Sequence, residues 1–314
     1  MWEQHVDMAV KHFLSISEQS AEDLRKILNL ALRLKRKGYP AGSPLRKKVV
    51  AMIFQKPSTR TRVSIQSAIA RLGGESLYLG YSELQLGRGE TVLDTGRVLA
   101  RYVDAIVARV FKHDDLLELA RNGRIPVINA LSDRHHPLQA LADVMTIWEK
   151  ARNLRSVKVA YVGDGSNVAI SLLQICAKLG VNISLAIPEG YRPDKAILRE
   201  AGEWAEKNKS TLEIYDDPVK AVEEADFVYT DVFVSMGSEE EREKRLSVFL
   251  PKYQVNAGLL SKAKKNAYFM HCMPMHLGEE VTPEVAYSTA SLIYEQAENR
   301  MHTFAALALH LLAK

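Results

Sequence analysis

The chain has 314 residues, of which 47% are hydrophobic and 25% are charged, a composition typical of a soluble globular protein with room for two domains. Its formal net charge of +4 is spread along the chain without a basic tract, which argues against a nucleic-acid partner. Since no apolar run approaches the roughly 18 residues that cross a bilayer, we also expect no membrane partner.

The N-terminal segment MWEQHVDMAVKHF carries acidic residues and no sustained apolar core, so we expect no secretory signal there. The first predicted helix spans residues 21–37, where Leu24, Ile27 and Leu28 share one face and Ser20 is a candidate N-cap. Strand-like and helix-like segments then alternate along the first half of the chain. The strand-like segments are VVAMIF (49–54), ESLYLG, AIVARV (105–110) and IPVINAL (125–131). The helix-like segments between and after them include TRTRVSIQSAIARLGG, ETVLDTGRVLARYVD (90–104) and HPLQALADVMTIWEKA (136–151).

The alternation starts again in the second half of the chain. KVAYVGD (158–164) predicts a strand and VAISLLQICAKLG (168–180) a helix. The pattern continues to a strand at AYFMHC (267–272) and a closing helix. Such alternation predicts an α/β fold of two doubly wound parallel-sheet domains with helices on both faces. We place the domain boundary near 148–156.

The cysteine content indicates the compartment. Cys176 and Cys272 are far apart in the sequence and too few for a disulfide scaffold. Such usage fits a reducing environment, so we expect a cytoplasmic protein.

The segment FQKPSTRTRVS (54–64) follows a predicted buried strand and is rich in hydroxyl and guanidinium donors. Ligands of open α/β sheets bind beyond the carboxyl ends of the strands. A helix that begins near Ser58 would point free N–H groups toward such a ligand, and Arg60 and Arg62 would add positive charge. The segment therefore predicts an anion site, with a capped surface helix and solvated arginines as an equally weighted alternative.

Other polar residues follow neighbouring predicted strands. Arg109 ends AIVARV and needs a partner, which a ligand or a structural carboxylate could supply. His136 and Gln139 open the next helix three positions apart, a spacing at which both can face one ligand. Asn167 follows KVAYVGD, where two glycines give only a weak dinucleotide-loop signal.

The end of the last predicted strand and the segment after it contain possible metal ligands. His271, Cys272 and His276 follow AYFM closely. A structural zinc site needs four ligands with regular spacing, and no such set is apparent in the sequence. We therefore expect His271 and Cys272 to serve packing or hydrogen bonding.

Several segments together carry a specific resemblance, from about Ser20 to the C-terminus. STRTR with HPLQ resembles the aspartate/ornithine carbamoyltransferase family. Asp231 with SMG, and HCMP where aspartate-specific relatives have HPLP, resemble the ornithine branch of that family. The other segments that share the resemblance are QLGRGET, DTGRVLARYVDAIVAR, DGSN and QAENRMH.

The resemblance implies a reaction and an assembly. A carbamoyl group would pass from carbamoyl phosphate to the δ-amine of L-ornithine, giving citrulline and phosphate. The enzyme would need no metal or organic cofactor and would form a homotrimer or a multiple of trimers. Residues 1–150, completed by a C-terminal helix (297–314) that packs back on them, would bind carbamoyl phosphate, and residues 151–296 would bind ornithine.

The same resemblance implies roles for individual residues. Arg109 would bridge the phosphate and the carbonyl oxygen, His136 would donate to that oxygen, and Gln139 would hold the carbamoyl amide. Gln85 would reach the site of a neighbouring subunit. The phosphate cradle would be Ser58, Thr59, Arg60 and Thr61; Cys272, the Met273 backbone and Arg300 would close around the carbamoyl group; and Asn167, Asp231, Ser235 and Met236 would hold the amino-acid end of ornithine. Thr61, Arg109, His136 and Cys272 would be the catalytic residues.

Three alternatives stay open from the sequence. The first is carbamoyl transfer to another amine, such as putrescine or an acylated ornithine, although Asp231 with SMG favours an acceptor with a free ammonium and carboxylate. The second is a nucleotide-dependent oxidoreductase, which the missing third glycine of the dinucleotide loop opposes. The third is a relative that binds ligand without catalysis.

Overall fold

The computed structural model describes residues 10–234 and 239–313 of the chain. These residues form two compact units. The first contains the described residues before Ser20, the range Lys26–Leu138 and the described residues from Arg300 onward, and the second contains Ser20–Arg25 and Gln139–Asn299. The C-terminal helix thus contributes its last turns to the first unit, as predicted. Within the described ranges, no helix combines the length and apolar character needed to cross a membrane.

The first unit is built on a parallel sheet of four described strands in the order β2-β1-β3-β4. The strands are β1 (Val49–Phe54), β2 (Glu75–Gly80), β3 (Ala105–Arg109) and β4 (Val127–Leu131). The α-helices that begin in the first half of the chain are α1 (Ala21–Lys37), α2 (Thr59–Arg71), α3 (Val92–Leu99), α4 (His113–Ala120) and α5 (Pro137–Ala151). Every residue of β3 is buried, as expected for a parallel strand covered on both faces.

The second unit is built on a parallel sheet of five described strands in the order β7-β6-β5-β8-β9. The strands are β5 (Lys158–Val162), β6 (Asn182–Ala186), β7 (Leu212–Tyr215), β8 (Phe227–Thr230) and β9 (Tyr268–His271). The helices are α6 (Asn167–Leu179), α7 (Lys195–Lys207), α8 (Pro218–Val222), α9 (Arg242–Phe249), α10 (Ala257–Leu260), α11 (Pro283–Ala286) and α12 (Ile293–Leu312), the last of which continues into the first unit. The two parallel sheets confirm the predicted α/β class.

The strand register of the first unit aligns the carboxyl ends of its strands. Phe54 pairs with Arg109 where β1 and β3 end, and Gln55 N–H donates to the Arg109 carbonyl at 2.8 Å. The β3–β4 register shifts between Ala108 and Arg109. These pairings place the residues that follow β1, β3 and β4 at one edge of the sheet, where ligands of α/β proteins bind.

The helix boundaries differ from the sequence prediction at α3. The pattern ETVLDTGRVLARYVD predicted a helix up to Asp104, whereas α3 ends at Leu99. The reason is long-range, because the Asp104 carboxylate accepts hydrogen bonds from Val49 N–H at 2.9 Å and from Lys48 Nζ at 2.8 Å. Asp104 is thereby held at the start of β3 and cannot continue the helix.

Candidate active site

The N-terminus of α2 is arranged to receive an anion. Ser58 caps the helix from an extended backbone conformation, and its Oγ accepts a hydrogen bond from Thr61 N–H. The first turn contains Thr59, Arg60 and buried Thr61 and has no acidic residue. Free N–H groups, the helix dipole and an arginine therefore act together in favour of negative charge.

The two arginines of STRTR have different surroundings. The Arg62 guanidinium lies 3.6 Å from the centre of the Tyr78 ring, and its Nε donates to Gln66 Oε1 at 3.3 Å. Arg62 is exposed, whereas Arg60 is half-buried. The charge of Arg60 is one of those that lower the pKa of His136. Arg60 therefore belongs electrostatically to the sheet edge, and Arg62 is held on the outer side of α2.

A buried cationic cluster surrounds His136. Arg109 and Arg300 are about 95% buried, and Arg300 Nη2 donates to Thr61 Oγ1 at 3.1 Å. Burial lowers the pKa of His136 well below 6.5, and the charges of Arg300, Arg109 and Arg60 lower it further. The imidazole is consequently neutral at neutral pH. A neutral ring has one N–H donor, and the surrounding cations favour a ligand with negative charge.

Gln139 lies in the first turn of α5 and is 2% exposed. Its Nε2 donates to Asp143 Oδ1 at 2.7 Å, one helical turn further along. Asp143 is fully buried. Asp143 was not predicted from the sequence, although its i,i+4 spacing from Gln139 within HPLQALAD is the signal that could have pointed to it.

In the second unit, the ends of β8 and β9 bring Asp231 and Cys272 together. Cys272 Sγ donates to Asp231 Oδ1 at 3.1 Å. Burial raises the pKa of Asp231, while His271, the Cys272 hydrogen bond and the Val232 N–H oppose that rise. Met273 follows with a φ of 57°, in the left-handed region that is unusual for a residue other than glycine. The structure therefore places a buried carboxylate and a thiol at this strand edge.

Ligand-capable atoms of Asp231, His271 and Cys272 lie within 4.8 Å of one another, and another such group contains His276, Glu279 and Glu280. However, His271 Nε2 lies 3.1 Å from Glu280 Oε1, and His271 Nδ1 accepts from Met273 N–H at 2.8 Å. Both ring nitrogens of His271 are thus used in hydrogen bonds. The side chains of the first group are thus engaged in hydrogen bonds with one another or with neighbouring residues.

The loop after β5 presents Asn167 as the first residue of α6. Arg245 anchors this loop through an ion pair with Asp164, whose pKa burial raises to about 6 against the opposing effect of Arg245. A Cβ at Gly165 would lie 2.3 Å from the Tyr191 carbonyl oxygen, so only glycine fits there. The Asp164–Arg245 pair could not be predicted from the sequence because its two residues are far apart in the chain.

Gln85 is exposed in a 3-10 helix, Gln85–Arg88, and its carbonyl accepts from Glu90 N–H at 3.3 Å. Ser235 and Met236 lie outside the described residues.

Known proteins resemble the chain over nearly its whole length. The family model "Aspartate/ornithine carbamoyltransferase, carbamoyl-P binding domain" matches residues 11–149, and the "Asp/Orn binding domain" model of the same family matches residues 155–311. A protein of Pyrococcus furiosus named "Ornithine carbamoyltransferase, anabolic" is 51% identical over 300 residues, which are 95% of each chain. An ornithine carbamoyltransferase of Anoxybacillus flavithermus is 46% identical over 98% of each chain.

Solved structures give the same result. The ornithine carbamoyltransferase of Pyrococcus furiosus has a TM-score of 0.91 at 50% identity and covers 97% of this chain and 98% of its own. The anabolic ornithine carbamoyltransferase of Campylobacter jejuni has a TM-score of 0.91 at 38% identity, over 96% of this chain and 99% of its own. The chain belongs to the aspartate/ornithine carbamoyltransferase family.

Proposed function

We propose that the chain is an ornithine carbamoyltransferase, which converts carbamoyl phosphate and L-ornithine to L-citrulline and phosphate. The observation that carries the proposal is the buried cationic cluster around neutral His136, next to the N-terminus of α2. Such a site suits an acyl phosphate that develops further negative charge in its transition state. Relatives at about half identity over nearly the whole chain carry this name.

In this proposal the first unit holds the phosphate. Ser58, Thr59, Arg60 and Thr61 form the cradle at the helix N-terminus, where N–H groups and a guanidinium meet phosphate oxygens. Gln85 completes the cradle of a neighbouring subunit, which suits its exposed position. The assembly is accordingly proposed to be a homotrimer or a multiple of trimers.

The carbonyl oxygen of carbamoyl phosphate gains charge when the amine attacks. Thr61, Arg109 and His136 are proposed as its preset donors, and such donors stabilise the charge without rearrangement at the moment of reaction. His136 contributes one N–H group because its ring is neutral. Gln139 is proposed to bind the carbamoyl amide, with Cys272, the Met273 backbone and Arg300 around the same group.

Ornithine is proposed to bind through the second unit. Asp231 would pair with its α-ammonium and Asn167 with its carboxylate, and Ser235 and Met236 would complete the contact. This division assigns carbamoyl phosphate to residues 1–150 with 297–314, and ornithine to residues 151–296.

The chemical step requires a neutral δ-amine, whose pKa in water resembles that of lysine, about 10.4. A cation-rich, desolvated site lowers such a value. The amine nitrogen forms a bond to the carbonyl carbon, the bond from that carbon to the phosphate oxygen breaks, and phosphate leaves with the proton lost by the amine. Cys272 already donates its thiol proton to Asp231, which favours the phosphate over the thiol as the proton acceptor.

The pathway is proposed to be arginine metabolism in the cytoplasm, in the biosynthetic direction that the name of the Pyrococcus furiosus relative states. The test is to incubate the protein with carbamoyl phosphate and a panel of ornithine, putrescine, N-acetylornithine and lysine, and to measure ureido product. We expect product with ornithine at a rate far above the others. Product with putrescine or N-acetylornithine instead would replace the proposed acceptor, and no product with any amine would favour a binding protein.

A further inference from the structure

Asp143 is the centre of a buried hydrogen-bond network in the second unit. Its side chain is fully buried on α5. Its Oδ1 accepts from Gln139 Nε2 at 2.7 Å and from Gln296 Nε2 at 2.8 Å. Its Oδ2 accepts from the Tyr229 hydroxyl at 3.2 Å. One carboxylate thus receives hydrogen bonds from side chains of α5, α12 and β8.

The donor and acceptor roles in this network follow from the contact between Gln296 and the backbone of His271. The backbone N–H of His271 can only donate, and it donates to Gln296 Oε1 at 2.9 Å. Gln296 must therefore turn its nitrogen toward Asp143. Asp143 therefore accepts from this donor at Oδ1 and from the Tyr229 hydroxyl at Oδ2.

These roles determine the orientation of the Gln139 amide. Asp143 Oδ1, which already accepts from Gln296, requires the amide nitrogen of Gln139, because a reversed amide would bring two acceptor oxygens to 2.7 Å. The oxygen of Gln139 is then the atom with which the N–H groups of a ligand would pair. An isolated glutamine has no such preference, since its amide can present either end.

We propose that Asp143 is a positioning residue that orients the Gln139 amide so that its oxygen reads the NH₂ group of the carbamoyl moiety. The inference rests on the proposed function, in which Gln139 contacts that moiety. It explains how the site distinguishes carbamoyl phosphate from an acyl phosphate of the same shape. Acetyl phosphate has a methyl group in place of the NH₂ group and gains nothing from the oriented oxygen.

The first test compares dissociation constants for carbamoyl phosphate, acetyl phosphate and inorganic phosphate in wild type and in Asp143→Asn. The variant keeps the shape of Asp143 but offers an NH₂ group, which allows Gln139 to reverse. We expect its affinity for carbamoyl phosphate to fall about tenfold or more, as for a buried donor that meets no acceptor, while acetyl phosphate and phosphate bind as in wild type. Equal losses for all three ligands, or no loss for carbamoyl phosphate, would overturn the proposal.

Tyr229→Phe is the matched control, because it removes a hydrogen bond to Oδ2 and leaves both contacts of Oδ1. It should keep the preference for carbamoyl over acetyl phosphate. Gln139→Ala provides a second variant should Asp143→Asn fold poorly, and it should bind both acyl phosphates alike. The Asp143→Asn and Gln139→Ala losses should also be non-additive in the double variant, since both act through one amide. A Gln139→Ala protein that keeps the wild-type preference would refute the proposal.

Citrulline formation by the wild type separates this inference from the proposed function. If wild type makes citrulline and Asp143→Asn keeps full preference for carbamoyl phosphate, only the inference fails. If wild type makes no ureido product with any amine, the proposed function fails, while the ligand preference still tests the orientation of Gln139.

Discussion

Arg300 Nη2 donates a hydrogen bond to Thr61 Oγ1 at 3.1 Å, although the two residues are 239 positions apart. Both side chains are buried in the first unit. The contact joins the middle of α12 to the first turn of α2, so the proposed phosphate cradle depends on a residue near the far end of the chain.

The first prediction concerns Arg300→Lys. Lysine keeps the positive charge but lacks the planar fork that can contact Thr61 and a ligand together. We expect the KM for carbamoyl phosphate to rise about tenfold or more, in line with the strength of a charge-assisted hydrogen bond. Arg71→Lys, at an exposed position in the last turn of α2, is the control and should behave as wild type. Equal KM values for the two variants would contradict the role of Arg300.

The second prediction separates the two arginines of STRTR. Arg60→Ala should weaken carbamoyl phosphate binding at least tenfold, because Arg60 contributes charge to the cluster around His136. Arg62→Ala should leave binding unchanged and lower the free energy of unfolding by about 0.5–1 kcal/mol, the usual value of an exposed cation–π contact. Calorimetric titration and urea unfolding of both variants measure the two effects. The reverse pattern would show that the assignment is inverted.

These arginines show what the sequence could predict and what it could not. Strand–helix alternation identified α2 and its Ser58 cap, because capping and apolar periodicity are local properties. Which of Arg60 and Arg62 faces the anion site could not be predicted, because Arg62 is held by Tyr78, a residue of the neighbouring strand β2. The network around Asp143 was missed for the same reason, since Gln296 and Tyr229 are distant in the chain and only the i,i+4 spacing to Gln139 is local. Resemblance supplied the proposed ligand roles, which residue spacing alone left open.

The third prediction concerns His136. His136→Ala should lower kcat about a hundredfold, because the loss of one preset donor to a developing oxyanion typically costs roughly 3 kcal/mol of barrier. Phosphate affinity should fall only modestly, since other groups form the cradle. His136→Gln offers an amide donor and should recover part of the rate. Near-normal turnover of the alanine variant would contradict the role of His136.

The fourth prediction concerns Asp231, the buried carboxylate beside Cys272. Asp231→Asn removes the negative charge proposed to pair with the α-ammonium of ornithine. We expect the KM for ornithine to rise more than tenfold, with the dissociation constant for carbamoyl phosphate unchanged. Glu203→Gln removes an exposed carboxylate of α7 and serves as the control. A change confined to carbamoyl phosphate binding would contradict the assignment of Asp231 to ornithine.

The fifth prediction is a loss of stability in acid. Burial, with the charges of His113 and Arg134, lowers the pKa of His135 from 6.5 to about 4. Between these pH values the unfolded chain binds a proton at His135 and the folded chain does not, so the free energy of unfolding decreases as pH falls from 6.5 to 4. The contribution is at most about 3 kcal/mol. His135→Gln should show a shallower decrease in urea unfolding at fixed protein concentration, and an unchanged pH slope would contradict the shift.

The most direct test of the central claim is the fate of the carbamoyl group. The protein is mixed with ¹³C-labelled carbamoyl phosphate and L-ornithine, and citrulline and phosphate are followed together by ¹³C and ³¹P NMR. The proposed function predicts labelled citrulline and phosphate in equal amounts, at a rate that Arg60→Ala reduces strongly and Arg62→Ala does not. Phosphate release without labelled citrulline, or labelled citrulline at the rate of the protein-free mixture, would contradict it.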